Sequence, residues 1–166
     1  VPVELGLRVA VVEDQHRFIL HHQVMIKTTD DQIAVALVEH TQTRVPGVKA
    51  MSFVKGFLSP ANQIELKQRL EHVILPKKGR LSEADKARES DPEFVRLRRQ
   101  HSAVESAINA LGVHGLNKCP DHGIDGFKRY VALAVVARNL QRLGAILRVQ
   151  EQQAADRRRG SYKKAA

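Results

Sequence analysis

The sequence predicts an α/β fold: a mixed sheet that starts with an antiparallel hairpin and carries helices packed on it. Three observations lead there. Leu5, Leu7, Val9 and Val11 alternate with Gly6, Arg8, Ala10 and Val12, the period of two that belongs to a strand whose second face is also mostly apolar. Glu13-Asp14-Gln15-His16 is a short polar turn, and a second strand follows from Arg17 to Ile26 with Phe18, Leu20, Val24 and Ile26 on one face. So short a turn pairs the two strands antiparallel. Beyond the hairpin, helical and strand-like stretches alternate, which builds a mixed sheet with helices on it.

The elements follow in order. Thr28-Thr29-Asp30-Asp31 is a cluster of helix-capping residue types, and Ile33, Leu37 and Val38 recur at helical spacing until Pro46-Gly47. Val48 to Val54 reads as a third strand broken by Gly56. Ser59-Pro60 opens a helix, with Ser as cap and Pro at the first position, and Ile64, Leu66 and Leu70 as its apolar side. His72 to Leu75 is a fourth, short strand stopped by Pro76. Lys77 to Pro92 is almost all charged or small and reads as an exposed connection with a helical turn near Glu83 to Arg88. From Asp91-Pro92-Glu93, a helix carries Phe94, Leu97, His101, Val104, Ile108 and Leu111 as an amphipathic stripe, ending at Gly112 and Gly115. A loop through Cys119-Pro120-Asp121-His122-Gly123 leads to a last helix, Gly126 to Gln150. Its middle is apolar nearly all round, so it is expected against the sheet or the preceding helix. Residues 1–150 thus form one domain. Residues 151–166, with Arg157-Arg158-Arg159, Lys163 and Lys164, are expected to be a disordered basic tail.

Length and composition bound the function. A chain of 166 residues with 43% apolar and 27% charged residues can bury a core, which excludes wholesale disorder. The longest uninterrupted apolar run, Tyr130 to Ala137, falls far short of the roughly 18 residues of a membrane span, so no membrane partner is expected. One cysteine, Cys119, cannot form an internal disulfide, which points to a cytoplasmic location. No secretory signal opens the chain, and Val1 leads so abruptly into strand-like sequence that the start reads as the inside of a domain. The 27 Lys and Arg against 18 Asp and Glu leave a formal charge of +9, which favours a polyanion, DNA or RNA first. With 4% aromatics and no Trp, base-stacking platforms are sparse, so contact with the phosphate backbone is the expected mode.

Two constellations carry chemistry. Glu105 lies at the edge of the apolar stripe with His101 and Arg98 on the same edge, where a carboxylate facing a sheet can ligate a hard divalent cation; the bland alternative is a solvated residue paired with His101. The run Ser52 to Pro60 carries a strand end through Gly56 into a capped helix, and ligands of α/β sheets bind at the carboxyl ends of strands; the bland alternative is an ordinary turn, with Val54 offering no chemistry. His114, Cys119 and His122 lack a fourth partner and the spacing of a zinc site. His21 and His22 put one ring on each face of their strand, in structural roles, and Asp30 and Asp31 read as helix caps. No nucleophile triad or glycine-rich phosphate loop is present.

The stretches Val11 to His22, Ser52 to Asn62, Leu75 to Ser82, Arg99 to Asn109 and Gly126 to Leu133 resemble, in this order, the C-terminal portion of bacterial insertion-sequence transposases of the DDE class. The resemblance covers the chain from about Glu4 to Leu147. It implies an RNase H-like mixed sheet, three carboxylates holding two Mg²⁺ or Mn²⁺ ions, DNA as partner, and phosphodiester cleavage followed by strand transfer. Glu105 then stands for the third carboxylate and metal ligand. Val54 occupies the position where relatives carry the second Asp, and Leu58 a position where they more often carry a polar ring. The first strand and its Asp are missing, and Asp14 falls in the hairpin turn. One carboxylate does not offset two divalent ions, so this chain is expected to bind no metal and to be inactive on its own. Lys77, Lys78, Arg80, Arg98, Arg99, Lys128 and Arg129 are the expected DNA-phosphate contacts. The alternatives are a non-catalytic basic DNA-binding module that retains the fold, and a plain interaction domain.

Overall fold

Asp14 builds the hairpin turn: its carboxylate accepts the backbone N–H groups of His16 and Phe18, both at 2.8 Å. Arg17 turns the corner with φ at 68°. In the computed structural model, which describes residues 7–100, 111–113 and 119–164, strands β1 (Arg8–Glu13) and β2 (Ile19–Met25) pair antiparallel around this turn. A register shift between Val12 and Glu13 precedes the last pair of the ladder, Glu13 with Ile19. Then come α1 (Asp30–Arg44), β3 (Ala50–Ser52), α2 (Pro60–Arg69), β4 (His72–Ile74), α3 (Glu83–Ser90), α4 (Pro92–Gln100) and α5 (Gly123–Lys164). Strand β3 runs parallel to β4. The sheet is therefore two pieces, an antiparallel pair and a parallel pair. The mixed α/β class and the opening hairpin agree with the sequence reading. His101, Val104, Glu105, Ile108 and His114 lie outside the described residues.

The chain divides into two units, residues 1–110 and 111–166. In the first, α1 supplies the centre of the core through Ile33, Ala34, Leu37 and Val38, all at 3% exposure or less. Met25 from the hairpin and Phe53, Phe57, Leu66, Leu70 and Leu75 from the parallel half join the same cluster, with Ala10, Val12, Met51 and Val73 packed against it. Each large side chain buried here contributes about 2 kcal/mol of hydrophobic stabilisation. In the second unit, α5 buries Val131, Ala134 and Val135.

Several faces differ from the sequence reading. On β2 the core face carries Ile19, His21 and Met25, while Ile26 is exposed. The apolar residues of the hairpin lie on both faces, so periodicity alone does not choose between them. On α2, Ile64 is 63% exposed, and Asn62, Leu66 and the capping Leu70 are buried instead. The segment 83–90 is a full helix closed by a capping box at Ser82 and Asp85, not a single turn in an open connection. The residues from Ala154 to Lys164 continue α5 as helix, where a disordered tail was expected; Ala, Gln, Glu and Arg are good helix formers. Its middle is not apolar contact all round: Leu133, Val136, Leu140, Leu143 and Leu147 are exposed. The stretch Gly123–Arg159 is long and apolar enough to cross a membrane by length and composition, a property shared by helices of water-soluble proteins, although no single apolar run reaches that length.

His21 sits on the core face with both ring nitrogens buried and unpartnered, edge-on to His40 at a centroid distance of 5.5 Å. Burial first, and then the charge of Arg44, lower its pKa from 6.5 to about 4. The unfolded chain therefore takes up a proton near pH 6.5 that the folded chain refuses until about pH 4. Stability is full above pH 6.5 and falls as the pH drops to 4, by up to about 3 kcal/mol. Urea unfolding midpoints measured across this range should show the loss, and His21→Leu should remove most of it; an unchanged pH profile in His21→Leu would refute the assignment.

Candidate functional site at the carboxyl end of the parallel strands

Strand β3 continues one hydrogen bond beyond Ser52, with the Phe53 N–H donating to the Ile74 carbonyl at 2.9 Å. Phe53 and Phe57 turn into the core with ring centroids 5.2 Å apart, and Val54 is left facing outward at 42% exposure. Gly56 reverses the chain at φ +124°, a conformation that side chains rarely adopt. A Cβ there would come within 2.7 Å of Asp30 Oδ2, so the end of that side chain would have to shift. Ser59 Oγ then accepts the Asn62 N–H at 3.1 Å and starts α2 with Pro60 in its first turn, as the sequence reading expects.

Buried Asn62 closes this end. Its side-chain amide donates to the carbonyls of Asp31 and Phe57, both at 2.8 Å. The N-termini of α1 and α2 and the carboxyl end of β3 are thereby held together. Farther along, Arg69 pairs with Glu39 at 3.0 Å, and Gln42 donates to the Val48 and Arg69 carbonyls, both at 3.0 Å. The two helices run side by side in the same direction.

Thr29, rather than Asp30 or Asp31, caps α1: its N–H donates to Gln32 Oε1 at 2.9 Å. The two Asp residues lie in the first turn, where the helix dipole favours negative charge. Asp30 is thus the carboxylate that the tertiary structure brings against the 53–57 turn, and it receives the Arg8 guanidinium at 3.3 Å. Arg8 also donates to the Thr28 carbonyl at 2.9 Å. The sequence signal was Gly56 itself, a glycine between a strand and a capped helix.

Around the 53–57 turn the described side chains offer one carboxylate, Asp30. Val54 offers no oxygen, Asp30 is already ion-paired, and Glu105 is outside the described residues. Among the described residues, no three His, Cys, Asp or Glu side chains are grouped to hold a metal ion. The thiol of Cys119 contacts the Asp121 carbonyl at 3.5 Å, and the His122 N–H donates to the Asp121 carboxylate at 2.8 Å.

Of the residues expected to meet DNA phosphate, several are committed within the chain. Lys77 pairs with Asp85, which is held well below the usual carboxylate range by that hydrogen bond and by Ser82. Glu89 accepts the Lys77 backbone N–H at 2.8 Å and receives Arg98 at 3.3 Å. Arg129 pairs with Asp121 at 2.8 Å, which lowers the pKa of that Asp, and Lys128 approaches Asp125 at 3.9 Å. Lys78, Arg80 and Arg99 are exposed. An open cleft of about 700 Å³ is lined by Leu70, His72, Ile74, Arg88, Glu93 and Phe94 among others. Val54 is not part of it, and His72 and Glu93 within it are paired at 3.2 Å.

Gly56→Ala should destabilise the chain by about 2 kcal/mol through backbone strain and the contact with Asp30. In a Gly56→Ala/Asp30→Ala double variant the contact part should be recovered. Chemical denaturation of the four chains measures the coupling, and strict additivity would show that Asp30 and Gly56 do not touch.

Comparison of the chain with protein-family models, with curated proteins and with solved structures gives no match.

Proposed function

We propose that the chain is the C-terminal portion of a DDE-class transposase catalytic domain, descended from an enzyme of DNA cleavage and strand transfer, and that alone it neither cuts nor joins DNA. The observation that carries this reading is the division of the sheet. An antiparallel pair (β1, β2) and a parallel pair (β3, β4) share one core around α1. Those are the two pieces that an RNase H-like sheet leaves when its first strand is taken out, since that strand would lie antiparallel to β1 and parallel to β3. The resemblance blocks agree with it, because Val54 falls just after β3, where relatives carry an Asp. The same position explains the expected inactivity: an exposed valine cannot ligate Mg²⁺ or Mn²⁺.

The remaining property of this reading is weak, phosphate-directed binding of duplex DNA. It rests on the charge of +9 and on exposed Lys78, Arg80 and the Arg157-Arg158-Arg159 run of α5. Affinity should be of the non-specific kind, about 10⁻⁴ to 10⁻⁶ M at physiological salt.

The test has two arms. With Mg²⁺ or Mn²⁺, the chain and its Val54→Asp variant should leave supercoiled DNA intact. Fusing the Asp-bearing first strand of an intact relative ahead of Val1, together with Val54→Asp, should generate metal-dependent nicking that disappears in Glu105→Gln. Nicking by the unmodified chain that is lost in Glu105→Ala would overturn the inactivity, and a folded chimera without nicking would overturn the family reading. In parallel, titration of unrelated duplexes should show binding that collapses with salt, with a flatter slope once residues from Arg157 onward are deleted; tight, salt-insensitive binding to one sequence would contradict phosphate recognition.

A further inference from the structure

We draw no further inference here: the strongest candidate, the side-chain cluster of His21, His22 and His40 where β2 meets α1, is not placed to hold a metal ion among the described residues, and its titration is the acid sensitivity already described.

Discussion

The buried face of α1 is the constraint on which the first unit depends. A two-stranded sheet is marginal by itself, and this chain has two of them. Neither pair has a third strand among the described residues, so each relies on burying its apolar face against something else. Ile33, Ala34, Leu37 and Val38 supply that surface to both pairs at once. Thr41 extends the face by returning its hydroxyl to the Leu37 carbonyl at 2.6 Å, which satisfies the one polar group it would otherwise strand in the core. Hairpin and parallel pair are one core because they meet one helix.

Polar clamps then give this core its specificity. Asn62 and Gln42 each bridge two backbone carbonyls, one near the start of α1 and one toward its end. Carbonyls at loop and helix ends have no ladder partner, and leaving them buried would cost about 1–3 kcal/mol each. Bridging them with one amide per end aligns α2 with α1 and sets where the 53–57 turn sits. That alignment is why an ordinary-looking Asp30 comes against Gly56. It is also why Val54, between two buried phenylalanines, is turned outward at the carboxyl end of its strand.

Local signals in the sequence were legible because they act over a few residues. Ser59-Pro60 starts a helix wherever the chain goes, and Asp14 folds a turn through bonds to its own neighbours. Strand existence in the hairpin and in His72 to Leu75 was equally readable from alternation and from Pro76. What alternation could not decide was which apolar face of the hairpin goes inward, since Val9, Val11, Leu20 and Val24 compete with Ala10, Val12, Ile19 and Met25. The outcome turns His21 into the core and leaves its ring without a hydrogen-bond partner. The same applies to α2, where the more apolar Ile64 stays outside because Asn62 must reach two carbonyls on the opposite side.

The sequence by itself determined the α/β class, the opening hairpin, the helix starts and the excess of positive charge, since each is written in residue types or spacings shorter than one element. Only the tertiary structure decided the rest. It split the sheet into two pairs joined through α1 and committed Lys77, Arg98 and Arg129 to internal carboxylates. It also set which side of α5 buries Val131, Ala134 and Val135. Those outcomes depend on which surfaces compete for the same core and which charges find each other first, and both are settled by residues far apart in the chain.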